Sequence, residues 1–176
     1  MKKTIFTFDK ELREESYVDF SIVEVFDRKV TWWNYGTSTK SRISIRDVIY
    51  PLNTHQRNKY PLIVNYLETR PYRLSIRPRN KSHLRHILGK ERPLTGYLDL
   101  ESRSISTNIF DNSFTDFQNN YHNFNKLKIK IQIEDDLLDG VEKYFQSGDY
   151  PIGNDLDVVD ERFMLKISFI SFSFLK

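Results

Sequence analysis

The chain of 176 residues contains no cysteine and no alanine, six glycines, six prolines, and no apolar run that approaches a bilayer span. Without thiols there is no disulfide framework, no thiolate zinc site, no cysteine nucleophile and no disulfide-linked partner. A spanning helix needs roughly 18 consecutive apolar residues. None occurs, and behind Lys2 and Lys3 the first apolar run stops at Asp9, short of a signal-peptide core. The expected compartment is the cytoplasm, with no membrane partner. No phosphate-binding glycine loop, dinucleotide fingerprint, nucleophile elbow or zinc-protease motif is present. A protein without catalytic chemistry, cofactor or metal is therefore the expectation.

The missing alanine carries a second kind of information. Alanine codons begin with GC, whereas the abundant Ile, Asn, Lys, Phe and Tyr are encoded by A/T-rich triplets. An A/T-rich gene of this kind is common on mobile bacterial islands and in phage, which raises the expectation of a defence, antitoxin or toxin-immunity role. That association concerns the gene and carries no chemistry.

What the chain does contain is ample material for one core. Hydrophobic residues make up 39% and include 13 Phe and 10 Tyr, while 29% are charged, so residues 1–176 are expected to form a single globular domain. The net charge of +3 conceals a segregation. Residues 40–92 hold 13 Lys and Arg against three acids, and residues 99–161 hold 14 acids against five bases. Placed on different surfaces, these segments make a steering field; placed side by side, they neutralise one another.

Period-two patterning dominates. Residues 17–26 and 29–35 read as a hairpin around a two-residue loop at Asp27 and Arg28, apolar on both faces. Further strands are expected at 3–8, 42–50, 60–67, 72–77, 96–101, 104–110, 126–134 and 163–175. In the last of these, Phe163, Leu165, Ile167 and Phe169 share one parity, and Ile170, Phe172 and Phe174 the other. That phase switch predicts a bulge or bend near Phe169 and Ile170. Helices are expected at 113–125, where Phe114, Phe117, Tyr121 and Phe124 recur at helical spacing, at 135–146, and as a short basic turn at 82–88. The fold class is mainly β, an antiparallel sandwich or strongly curved sheet with two or three short helices. The alternative is an α+β single sheet backed by helices.

Three constellations bear on function. The first is a repeated alternation, Arg42-Ile43-Ser44-Ile45-Arg46 and Arg73-Leu74-Ser75-Ile76-Arg77. On strands both stretches turn their arginines to one face and their aliphatic residues to the other. With Arg79, Lys81 and Arg85 they form a candidate patch for phosphate or carboxylate groups, to which the guanidinium fork is matched. No aromatic interleaves these arginines apart from nearby Tyr72, which departs from a base-stacking platform. The second is acidic: Asp149, Asp155, Asp157, Asp160 and Glu161, with Tyr150 as an aromatic anchor, can mimic nucleic-acid charge towards a basic partner. It lacks the glycine and terminal Glu of a calcium loop. The third is the pair His83 and His86 in a basic setting, two residues that suit acid and base roles in ribonuclease chemistry.

These features support a small cytoplasmic binding protein. The leading expectation is a bacterial immunity or inhibitor protein whose protein partner is a toxin or nuclease, occluded at its active site. Beside it stand a nucleic-acid-binding module using the Arg-rich sheet face and a ribonuclease using His83 and His86. A solvated basic face neutralised by acids of the same chain is the plain alternative to any binding role.

Overall fold

A computed structural model describes residues 2–12, 18–22, 41–51, 58–79, 94–120, 123–151 and 161–176, and at 18–22, 41–44, 46–47, 49–51, 79 and 111–112 it describes the backbone. The described residues include eight strands: β1 (Lys3–Glu11), β2 (Val18–Ile22), β3 (Ser41–Pro51), β4 (Tyr72–Arg79), β5 (Gly96–Asp99), β6 (Ser104–Phe110), β7 (Lys126–Glu134) and β8 (Met164–Leu175). Three α-helices accompany them among the same residues: α1 (Pro61–Glu68), α2 (Asp111–Asn120) and α3 (Asp135–Gln146). The strands form one sheet in the order β1-β7-β8-β5-β6-β4-β3-β2. All described pairings are antiparallel except β4 with β6. At one corner β1 also meets β3, with Phe8 opposite Pro51 and Asp9 opposite Ile49. A strand from one end of the order can reach one near the other end only if the sheet curls strongly. The mainly β expectation holds in its curved-sheet form, with short helices on one face.

Alternation explains which face is covered. Phe6 and Phe8 of β1, Leu127, Ile129, Ile131 and Ile133 of β7, Leu98 of β5, Ile105 and Ile109 of β6, and Leu74 and Ile76 of β4 are all buried on the inner face. Their odd-even neighbours point outwards, and the helices fill the concavity. In β8 the buried set runs Leu165, Ile167 and then Ile170. The register shifts there, with Gln132 opposite Phe169 and Ile133 opposite Ile167, so the extra residue is Ser168, whose hydroxyl donates to the Gln132 carbonyl at 3.1 Å. The expected phase switch is thus present, one residue ahead of the predicted place. Gly96 serves a close approach: a Cβ there would fall on the backbone oxygen of Ser106 in the adjoining strand.

One predicted strand is a helix. Residues 60–67 form α1 instead, because Pro61 occupies the first helical turn, where its missing N–H costs nothing, and Ile63, Val64, Tyr66 and Leu67 lie on one buried face. The short apolar run had hidden a spacing of one, three and four residues. Helix α2 begins two residues ahead of the expected 113–125 and ends at Asn120, burying Phe114 and Phe117. Strand β5 ends at Asp99, whose carboxylate accepts the N–H groups of Glu101 at 2.9 Å and Ser102 at 3.1 Å and turns the chain into β6. Of the predicted 17–26 and 29–35 hairpin only β2 is described, paired to β3 from Val18 opposite Ile45 to Ile22 opposite Ser41. Its second strand and the predicted 82–88 helix lie outside the described residues. Among the described residues no helix is long and apolar enough to cross a membrane.

Two buried acids on α3 hold the helices to the sheet. Tyr60 precedes α1 without a side-chain cap, and the carboxylate of Glu142 substitutes by accepting the N–H groups of Leu62 at 2.9 Å and Ile63 at 3.0 Å. Asp135, in the first turn of α3, accepts the Thr4 hydroxyl and the Lys59 ammonium, each at 2.6 Å. Burial by itself would raise the Asp135 carboxyl, but these donors outweigh it and hold it below its ordinary 3.8. A carboxylate held low in the folded state stabilises fully above its unfolded value, and that contribution disappears as pH falls through the folded one. In urea titrations the gap in stability between the parent and Asp135→Asn should therefore narrow between about pH 5 and about pH 2. A constant gap would show that the charge of Asp135 contributes nothing.

Candidate nucleic-acid interface

The two repeated arginine segments lie on neighbouring antiparallel strands. Ser44 of β3 stands directly opposite Ser75 of β4, with Ile43 opposite Ile76 and Ile45 opposite Leu74. The next position along both strands brings Arg42 level with Arg77. At the other end the symmetry fails, because the register shifts between Ile45 and Val48, so that the two positions Arg46 and Asp47 of β3 together stand opposite Arg73. On β4 the side chains follow the alternation: Leu74 and Ile76 are fully buried, Arg73 and Arg77 are exposed, and Ser75 between them is 9% exposed.

Parallel pairing of β4 with β6 extends this pattern sideways. Arg73 lies opposite Ser104, Ser75 opposite Ser106 and Arg77 opposite Asn108. Beyond β6, Tyr97 of β5 lies opposite Ser106, and Lys166 of β8 lies opposite Tyr97. One row therefore crosses six strands through Lys166, Tyr97, Ser106, Ser75 and the positions of Ser44 and Asp19. At about 4.8 Å per strand it is roughly 24 Å long. Tyr97 is 47% exposed, among the largest values of any bulky apolar side chain described. Arg73 and Arg77 stand one on each side of Ser75, separated along the strand by about 13 Å between α-carbons.

The described cations in and beside this row are not paired with acids. Among the described residues, neither Arg73 nor Arg77 nor Lys166 has a carboxylate within salt-bridge reach, the ion pairs being Lys59 with Asp135, Lys126 with Asp9 and Arg162 with Asp149. Asp99, the acid on β5 two residues from Tyr97, has its carboxylate occupied by the turn that follows. Arg73 and Arg77 are exposed and no described carboxylate competes for their donors, which is the condition for receiving phosphate oxygens.

No protein-family model, no curated protein and no solved structure matches this chain.

The other predicted residues fall as follows. The backbone of Arg79 is described at the end of β4, opposite Phe110, while Lys81 and Arg85 lie outside the described residues. In the acidic group Asp149 is exposed and faces Arg162 at 3.7 Å, so it does not reach the arginines of the sheet. Tyr150 is exposed, its ring stacked on Phe145 at 4.9 Å, and Glu161 opens the short 3-10 turn before β8. Asp155, Asp157 and Asp160 are outside the described residues, as are His83 and His86. Among the described residues no three metal-ligating side chains converge.

Tyr72, the aromatic that sequence placed nearest the arginines, belongs to the core. It is 1% exposed and meets Phe8 edge-on at 5.9 Å, and burial pushes its phenol up. The aromatic in the row between the arginines is Tyr97 instead, which sequence reasoning missed because strand order, not spacing, carries it there. Lys128 and Lys130 were also missed. They sit in the segment whose net charge is acidic, yet their period-two spacing in Lys126-Leu127-Lys128-Ile129-Lys130 places them on the outer face of β7.

Since Arg73 and Arg77 hold nothing within the described chain, their loss should not affect folding. The double variant R73A/R77A is expected to unfold within ~0.5 kcal/mol of the parent in denaturant titration. A larger loss would mean that the arginines serve the fold rather than a partner.

Proposed function

We propose that the protein is a nucleic-acid-binding module that receives phosphate groups on the outer face of its sheet. The observation that carries this reading is the pair of exposed arginines on β4 without a salt bridge to any described acid, level with Ser104 and Asn108 of β6, with Lys166 at the end of the Ser75 row that runs between them. Phosphate contacts of this kind supply affinity without reading sequence. The arginines, with Lys166 at the far end of the row, position the backbone, and the half-buried Ser106 of β6 offers its hydroxyl to oxygens that come close. The test is a titration of the protein with labelled DNA and RNA from about 50 to about 200 mM salt. R73A/R77A should weaken binding roughly tenfold and lower the slope of log affinity against log salt by about two. No measurable binding by the parent at about 50 mM salt would reject the reading.

A second reading, inhibition of a toxin or nuclease by occlusion of its active site, is favoured by one local arrangement. Tyr150 projects beside Asp149 from the end of α3 and is braced by the Phe145 ring. A rigid exposed aromatic next to an acid has the composition of an interface anchor. On this reading the protein co-purifies at one-to-one ratio with a partner from its own host, and Tyr150→Ala releases that partner. Retention by the Tyr150→Ala variant would remove the anchor role.

A further inference from the structure

The geometry points to Tyr97 as a base-stacking residue that makes the outer face selective for single-stranded nucleic acid over duplex, an inference that rests on the nucleic-acid reading above. Three observations lead to it. The ring of Tyr97 is 47% exposed in the middle of a strand rather than at a loop tip, so the backbone that carries it is held on both sides, by Ser106 of β6 and by Lys166 of β8. The described partners in its row between β5 and β4 are short serines, Ser106 half-buried and Ser75 buried at 9% exposure, so no bulky side chain of the row adjoins the ring on that side. The cations lie around this floor, with Lys166 next to the tyrosine on one side and Arg73 and Arg77 two strands away on the other. An aromatic face at the centre, a low hydroxyl floor and cations at the rim are the parts by which a protein holds an unpaired base and the phosphates that flank it.

Curvature decides between strand forms. The helices fill the inner side of the sheet, so the outer face is the convex one. A stiff duplex laid on a convex surface touches it along a narrow line and keeps its bases stacked inside. A flexible single strand can follow the curve and turn one base onto the tyrosine. Selectivity therefore belongs to Tyr97, and general affinity to Arg73, Arg77 and Lys166. Gly96 contributes by bringing β5 against β6, where any side chain would collide with the Ser106 carbonyl, and so sets how far Tyr97 stands from the serine floor.

The test uses the whole chain with two fluorescein-labelled probes, an oligothymidylate of about twelve nucleotides and a duplex of the same length. The parent should bind the single strand more tightly than the duplex. Tyr97→Ala should weaken single-strand binding by about tenfold and change duplex binding by less than about twofold, while Tyr97→Phe should bind like the parent. The salt slope of Tyr97→Ala should match that of the parent, since no cation is removed, in contrast to R73A/R77A. Equal weakening towards both probes, or none, would overturn the stacking role and leave the phosphate-binding reading in place. A parent that binds neither probe at low salt would overturn both. A circular dichroism spectrum and denaturant midpoint like the parent's establish that each variant is folded.

Discussion

The arrangement depends on a single helix with two buried carboxylates. Asp135 and Glu142 lie seven residues apart on α3, two turns along one face, and each takes two hydrogen bonds from a different part of the chain. Through Thr4 the helix is tied to β1, and through the N–H groups of Leu62 and Ile63 to the start of α1. A buried carboxylate left without donors costs several kcal/mol, so each acid fixes its partners as firmly as they satisfy it. Leu138, Val141 and Phe145 on the same helix then cover the inner side of the sheet, with Tyr66 of α1 against Phe145 at 5.3 Å. The core closes from that side.

Closing the core from inside has a consequence for the other face. Every described helix packs on the inner surface, and the outer surface has only strand alternation to determine its character. Ile5, Tyr97 and Phe169 stay exposed there, scattered among lysines, arginines and serines. Scattered exposed apolar side chains are ordinary. The row through Tyr97 differs because its neighbours in register are small hydroxyl residues and unpaired cations rather than further bulky groups that would shield the ring.

Most of the strand pattern was legible because alternation writes directly into sequence. The runs at 104–110, 126–134 and 163–175 announced themselves, and even the phase switch in β8 was visible as a change of parity between Ile167 and Ile170. Residues 60–67 were misread since an eight-residue apolar run satisfies both periods, and only the position of Pro61 distinguishes them. The site was half legible. Two segments of Arg-X-Ser-X-Arg gave the arginines and the face they share on each strand, while the pairing of the two strands came from the fold. Tyr97 was not legible, because β5 meets β6 by a tight turn and β8 by a distant connection, and neither pairing is encoded near the tyrosine. Lys128 and Lys130 were hidden by summing charge along segments, whereas a strand sorts charge by parity.

The outer face is also hard to explain as a solution to stability. Serine and asparagine are poor choices for the middle of a sheet, where Thr, Val or an aromatic packs better against its cross-strand neighbours. Yet β6 carries Ser104, Ser106 and Asn108 at its outward positions, and β4 carries Ser75 between two arginines. Acidic positions do flank these rows, Asp47 in the bulge opposite Arg73, Asp99 opposite Ser104 and Asp19 opposite Ser44. Among the described side chains, however, Arg73 and Arg77 form no ion pair, whereas at the other end of the sheet Asp9 meets Lys126 at 3.2 Å. Local rules that fail together in one row, while they hold elsewhere on the same surface, are what a binding site imposes on its scaffold.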